Sequence, residues 1–338
     1  MTTPSSQNER IFEDTVDDQH EGLRLDVFLA GRIEDASRSY VKKIIKDKRV
    51  VVNDQPCTRP SKNMNLGDTI RVDLPPPPQT TLDPEDIPLE ILHEDDDLVI
   101  VNKQSGLVVH PAPGHYTGTL VNAVLFHCDG FQRPTGDLSG YGADPARPGI
   151  VHRLDRFTSG VMVVAKSQRA FNHLAKQSRD HSFDRRYLAL VRGEFKESSG
   201  KISASIGRSL HDRSRMSITA IKSRDAVTRF EVLEKLGVAS QVALQLETGR
   251  THQIRVHLRF AGRPVLGDPV YGVTDFKAWN ISDSLRASLG ALEGQALHAE
   301  HLGIEHPATG ERLTFTAPPP PDFQKALDAL RAHGSNQE

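Results

Sequence analysis

Residues 149–167 read GIVHRLDRFTSGVMVVAKS, and the rest of the chain is best understood outward from them. Val161, Met162, Val163 and Val164 form a continuous apolar run, the pattern of a strand covered on both faces. Just ahead of it stands a polar cluster, His152-Arg153-Leu154-Asp155, followed by Thr158-Ser159-Gly160. A reactive group in that cluster would be held at the edge of a rigid element. Arg153 and Arg156 flank Asp155 in sequence, and a nearby guanidinium favours the anionic form of a carboxylate. An ionised Asp155 suits a nucleophile or a base. Taken alone, the same pattern also describes a structural ion pair or an aspartate that caps a turn.

Two other segments bear on that choice. Residues 246–260 read LETGRTHQIRVHLRF, where Gly249 marks a turn and a helix is expected from Thr251. On such a helix Ile254 and His257 share one side and Arg255 and Arg259 lie one turn apart, so Arg250, Arg255 and Arg259 are expected to form an anion site. His252 and His257 lack the spacing of a zinc-binding HExxH pair and no cysteine is near, so no metal is expected. Residues 183–193, FDRRYLALVRG, read as a strand in which Arg185 and Arg186 precede Tyr187. Alone, that tyrosine is more simply a packed strand residue than a catalytic one.

Nearer the N-terminus, Val41, Ile44 and Ile45 form an apolar stripe on a helix starting near Arg38, with Ser37 or Ser39 as its cap. The other side of that helix is basic: residues 38–62 carry a net charge of +6, with Arg38, Lys42, Lys43 and Lys46 on the helix itself. A strand at Val50–Val52, an Asn53-Asp54 turn and an alternating Ile70, Val72, Leu74 strand complete a compact αβ unit. Phosphate binding is the natural use of its charged face, although a merely solvated lysine face has the same composition.

Across 338 residues, 42 basic and 44 acidic side chains leave a net charge of −2. The balance is uneven: residues 1–20 sum to −4, 21–74 to +3, 75–97 to −8 and 98–338 to +7. Two mildly basic folded pieces are thus separated and preceded by acidic segments, and local patches rather than the total decide polyanion binding. Pro75–Pro78 begins the acidic tract and reads as a stiff spacer. The domains expected are a disordered tail over 1–20, a small basic unit over 21–74, a linker over 75–88, a larger unit over 89–332 and a tail over 333–338. Residues 129–149 read as a mobile loop, and a short helix is expected from Asp322 to Ala332. Cys57 and Cys128 alone cannot build a disulfide framework. The polar, acidic start has no apolar signal core and no window approaches the roughly eighteen apolar residues of a membrane span, so a soluble cytoplasmic protein is expected.

The chain closely resembles the RluA/RluD family of RNA pseudouridine synthases. The resemblance rests on NKQSGLVVHPAPG (102–114), TLVNAVLFH (119–127), HRLDRFTSG (152–160), RRY (185–187), GRTHQIRVHL (249–258), GDPVYG (267–272), QALHAEHLGIEHP (295–307) and LTFTAP (313–318). Residues 21–74 are similar to the S4-like RNA-binding domain, which implies recognition of structured RNA by the helix bearing Arg38, Lys42, Lys43 and Lys46. The two-part layout resembles members that modify a stem-loop of large-subunit ribosomal RNA. The implied fold class is α+β, a mixed, mostly antiparallel sheet with helices around a central cleft, behind a small N-terminal αβ domain. Patterning independently supports apolar strands near 98–101, 161–165, 187–191, 241–246 and 313–316. The resemblance makes Asp155 the catalytic aspartate, Arg153 the residue that helps evert the target base, Tyr187 the aromatic under that base and Arg255 the ion-pair partner of Asp155. Two departures stand out: Arg185 replaces the lysine the family often has, and Phe157 is bulky at a variable position.

Moving uracil from its N1 linkage to C5 needs no redox step and no external atom, so neither metal nor other cofactor is expected. Attack on C1′, addition to C6 and removal of a proton from C2′ are three open routes, and each uses the same ionised carboxylate. The expected partner is structured RNA, such as large-subunit ribosomal RNA or an assembling ribosomal particle, met by a monomer and not by a membrane. Two rivals remain at this point. One is an RNA or nucleoside N-glycosidase pairing Asp155 with a second carboxylate such as Glu247. The other is a non-catalytic assembly factor that only grips phosphates.

Overall fold

The computed structural model describes residues 10–33, 38–74, 82–111, 115–130, 147–209, 212, 215–218 and 223–334. The chain divides into two compact units, 1–81 and 82–338, with the boundary inside the stretch expected to be a linker. Pro75–Pro78 and the larger part of the expected loop at 129–149 lie outside the described residues.

The first unit runs β1 (Arg10–Thr15), α1 (Leu25–Arg32), α2 (Arg38–Lys46), β2 (Val50–Val52), β3 (Gln55–Pro56) and β4 (Thr69–Leu74). Its strands form one sheet in the order β1-β4-β2-β3, all antiparallel. Val41, Ile44 and Ile45 are buried against Phe28, Val50, Ile70 and Val72, so the apolar stripe of α2 faces the core as its spacing requires. Lys42 reaches to 3.8 Å from the buried Asp26, while Lys46 is exposed. The side chains of Arg38 and Lys43 lie outside the described residues. Of the disordered tail expected over 1–20, the part from Arg10 is corrected by β1, which pairs with the whole of β4 from Arg10↔Leu74 to Thr15↔Thr69, and residues 1–9 lie outside the described residues. Phe12 and Val16 pack on the core and outweigh the acidic composition of the segment.

The second unit runs β5 (Glu90–Glu94), β6 (Leu98–Lys103), α3 (Leu120–His127), β7 (Ser159–Ala165), α4 (Gln168–Arg179), β8 (Asp184–Arg192), β9 (Ser199–Ser203), β10 (Gly207–Arg208), β11 (Met216–Ser217), β12 (Val227–Lys235), β13 (Ala239–Leu246), α5 (Gln253–Phe260), α6 (Asp283–Gly290), β14 (Leu297–Glu305), β15 (Arg312–Thr316) and α7 (Pro321–Gly334). Nine strands make one mixed, mostly antiparallel sheet in the order β5-β6-β7-β14-β8-β13-β12-β9, with β15 also on β14. Only the β7–β14 pairing is parallel. Every residue of β7 is buried, as its unbroken apolar run demands. Gly160, at φ +115°, lets β7 and β14 approach: a Cβ there would stand 2.2 Å from the Ala299 carbonyl oxygen. Among the described residues no helix is long and apolar enough to cross a membrane.

Candidate active site

Asp155 lies in the turn that leads into β7, where its carbonyl accepts the Thr158 amide at 3.0 Å. Several independent contacts fix this turn. Leu154 is buried, Ser105 Oγ donates to the Phe157 carbonyl at 3.3 Å and Gln295 Nε2 donates to Thr158 Oγ1 at 3.1 Å. The bulk of Phe157 is accommodated because it packs on Gly294, where a Cβ would fall 2.4 Å from its own. Lys103, fully buried at the end of β6, donates its three ammonium hydrogens to the carbonyls of Gln104, Leu107 and Arg156 at 2.9, 3.0 and 3.1 Å. Burial lowers its pKa to about 7, opposed by the charge of Asp155. It therefore both ties down the backbone next to Asp155 and sets a cationic group behind it.

The carboxylate of Asp155 is held from α5. Arg255 Nη1 donates to Asp155 Oδ2 at 2.9 Å, and its Nε and Nη2 make a two-point contact with Asp268 at 2.7 and 2.8 Å. Asp268 also accepts the amides of Val270 and Tyr271, which fixes it in turn. Burial by itself would depress the Arg255 pKa, but its bonds to Asp268 and Asp155 raise it, so the guanidinium stays charged. Burial likewise works against ionised Asp268, and Arg255 more than offsets it, leaving its pKa below the usual value. Oδ1 of Asp155 has no hydrogen bond among the described residues; His252 Nε2 stands 3.7 Å away.

Asp155, Arg153, Tyr187 and His252 line one cavity of about 390 Å³, together with Arg179, His181, Arg185 and Arg250. Six of these side chains are arginine or histidine beside a single carboxylate, a setting that suits an anionic polymer with one reactive centre. Tyr187 sits in β8 and is 6 % exposed; burial raises its pKa, so the ring meets the cavity as a neutral phenol. Arg153 Nη1 rests 3.3 Å from His110 Nε2. His110 donates through Nδ1 to the Pro111 carbonyl at 3.0 Å, which leaves Nε2 as the acceptor for the guanidinium. Arg185 reaches the same cavity, with its Nε buried and lacking a hydrogen-bond partner among the described residues. His152 accepts the Val163 amide through Nε2 at 3.2 Å, and burial lowers its pKa to about 3.

The structure therefore brings together the four residues singled out as catalytic. The anion site expected from Arg250, Arg255 and Arg259 does not form. Arg255 is consumed by two carboxylates, Arg259 turns to the Tyr271 carbonyl at 3.1 Å, and only Arg250 faces the cavity. Their helical spacing is real, but α5 starts at Gln253 and presents Arg255 to the interior. Lys103, Asp268 and Tyr271 carry no role in the sequence reading. Asp268 and Tyr271 lie within GDPVYG, whose glycines signal a tight turn without saying what the turn holds. Glu247 is engaged by Arg229 and lies outside the cavity lining.

The sequence profile described as RNA pseudouridylate synthase matches residues 97–260, and that of the S4 domain matches residues 23–70. The chain is 42 % identical to the Bacillus subtilis RNA pseudouridine synthase YlyB, over 95 % of this chain and 98 % of that one. It is also 42 % identical to ribosomal large subunit pseudouridine synthase D of Zymomonas mobilis, over 95 % and 98 % of the two chains. Among solved structures, human RNA pseudouridylate synthase domain containing 1 superimposes with a TM-score of 0.52 at 27 % identity, covering 73 % of this chain and 96 % of its own.

Proposed function

The chain belongs to the RNA pseudouridylate synthase family, an RNA pseudouridine isomerase with an S4 domain, and we propose that it acts on specific uridines of large-subunit ribosomal RNA with Asp155 as its catalytic carboxylate. The observation that carries this reading is the held carboxylate: Oδ2 is fixed by Arg255 at 2.9 Å, and Oδ1 is open toward a cavity shared with Tyr187. A carboxylate oriented in this way needs no reorganisation when substrate arrives. Reaction breaks the bond from ribose C1′ to N1 of uracil and forms one from C1′ to C5. The hydrogen displaced from C5 is matched by one gained at N1, so the product is an isomer and nothing else is consumed.

A stacked uridine cannot reach Asp155, so the nucleotide must leave the helix. Arg153 is an exposed group that lines the cavity with Asp155, and release from His110 would let it fill the vacated place while the Tyr187 ring lies under the base. Retention of the detached uracil between that ring and the cavity wall separates isomerisation from hydrolysis. The glycosidase reading is disfavoured because Asp155 is the sole carboxylate among the described lining residues. We place the reaction in the cytoplasm, on ribosomal RNA or an assembling particle, with a monomeric enzyme whose S4 domain binds RNA structure through α2.

The test is incubation of the purified protein with tritium-labelled uridine RNA. Wild type is expected to form pseudouridine, and Asp155→Ala to bind RNA with little change in affinity and form none. Free uracil would favour the glycosidase, and tight binding without any product in wild type would favour the assembly factor.

A further inference from the structure

His252 occupies a strained position at the site. Its backbone is left-handed, φ 56°, at the residue that precedes α5, where a side chain other than glycine's is costly. The conformation turns the imidazole between two partners. Nδ1 lies 2.9 Å from the Tyr271 hydroxyl and Nε2 lies 3.7 Å from Asp155 Oδ1. The Tyr271 hydroxyl already accepts the Met216 amide at 2.8 Å. Its own hydrogen goes to Nδ1, the one other partner it has among the described residues. Nδ1 is then the acceptor and Nε2 carries the hydrogen, directed toward the open oxygen of Asp155. Burial lowers the His252 pKa, so the ring is a neutral donor in one tautomer.

A gap of 3.7 Å is too long for a hydrogen bond and of a size that one oxygen atom can bridge. The bridging atom must accept from Nε2–H and donate to a carboxylate. A hydroxyl does both; a carbonyl or phosphate oxygen fails the second requirement and would be repelled by Asp155. The hydroxyl that a target nucleotide brings nearest to the C1′ bond is the ribose 2′-OH, the group that distinguishes RNA from DNA. We propose that His252, with its tautomer set by Tyr271, reads the 2′-hydroxyl of the target uridine jointly with Asp155. This rests on Asp155 being the catalytic carboxylate. Contact at the 2′ oxygen would also set Oδ1 beside C1′ and C2′. His252 is thus a substrate-binding residue and Tyr271 a positioning residue that acts through it.

The test is a cycle of single-turnover rates on an RNA stem-loop bearing either uridine or 2′-deoxyuridine at the target position alone. Any intrinsic effect of the missing oxygen on reactivity is common to all enzyme forms and cancels when the ratio of the two rates is compared between them. Wild type is expected to prefer uridine by about 100-fold or more, given two lost hydrogen bonds to charged or fixed partners. His252→Asn, a residue that tolerates left-handed backbone, is expected to cut that preference at least tenfold. Tyr271→Phe is expected to reduce it by a smaller factor, a change that loss of packing would not produce. An unchanged ratio in His252→Asn, with Asp155→Asn inactive, overturns this inference and leaves the catalytic carboxylate standing. Full activity of Asp155→Asn overturns the underlying reading instead. Should His252→Asn fail to fold, wild type decides with a 2′-fluoro target, which cannot donate to Asp155: a rate equal to that on uridine overturns the proposal.

Discussion

Arg255 and Asp268 are joined by two parallel hydrogen bonds of 2.7 and 2.8 Å in the interior, and through that pair the position of Asp155 is decided. Removing Asp268 would leave a guanidinium, itself 6 % exposed, answered by Asp155 alone. Asp268→Ala is expected to lower stability by about 3–5 kcal/mol, the range for breaking a buried pair by removing one partner. Urea denaturation measures the loss. The rate should fall further than the folded fraction does, because Arg255 would no longer present Nη1 to Asp155 in one geometry.

Lys103 titrates against the usual direction for a lysine. Its pKa in the fold is about 7, below the ordinary lysine value of 10.5, so the unfolded chain binds more protons between those limits. The cost of burying the ammonium is present in full below pH 7 and is relieved as pH rises toward 10.5. This residue alone therefore makes the protein more stable on the alkaline side. Lys103→Met is expected to abolish that contribution, read as a flatter denaturation midpoint against pH between 7 and 10.

His152 works at the other end of the scale. It stays neutral in the fold because burial lowers its pKa to about 3 from 6.5, and its Nε2 accepts the Val163 amide. With a depressed folded pKa, the stability it contributes is whole above pH 6.5 and is lost as pH falls toward 3. Buried His257 and His298 shift the same way, so the informative quantity is the difference from wild type. His152→Gln is expected to lose stability less steeply between pH 6.5 and 4 than wild type does.

Lys46 is exposed on the basic helix of the S4 domain. Lys46→Gln is expected to weaken binding to structured RNA across sequences, with the slope of log K against log salt reduced by about one. Affinities measured at three salt concentrations give that slope; an unchanged slope would remove Lys46 from the phosphate contacts.

Much of the catalytic sheet could be anticipated where the pattern was local. The apolar runs near 98–101, 161–165, 187–191 and 241–246 fall inside β6, β7, β8 and β13, where burial on both faces leaves a nearly unbroken signature, and 313–316 falls inside β15, whose residues alternate between exposed and half-buried. Asp155 and Arg153 were visible as charges pressed against such a run. What escaped was non-local or composed of ordinary residues. Nothing near Asp268 says that its partner lies 13 residues back, and nothing in the tail of an apolar strand says that Lys103 closes on three carbonyls. β1 was missed for the opposite reason: its acidic residues masked the alternation that buries Phe12.

The spatial order β7-β14-β8 has a consequence for biosynthesis. Asp155 precedes β7 and Tyr187 lies in β8, so the strand that spaces them, β14 (Leu297–Glu305), follows both by more than a hundred positions. A nascent polypeptide that has emerged only as far as α5 already holds Arg153, Asp155, Tyr187, His252 and Arg255, yet lacks the strand that spaces the acid from the aromatic ring. A chain that ends before β14 is therefore expected to be inactive, which assay of a 1–296 fragment checks.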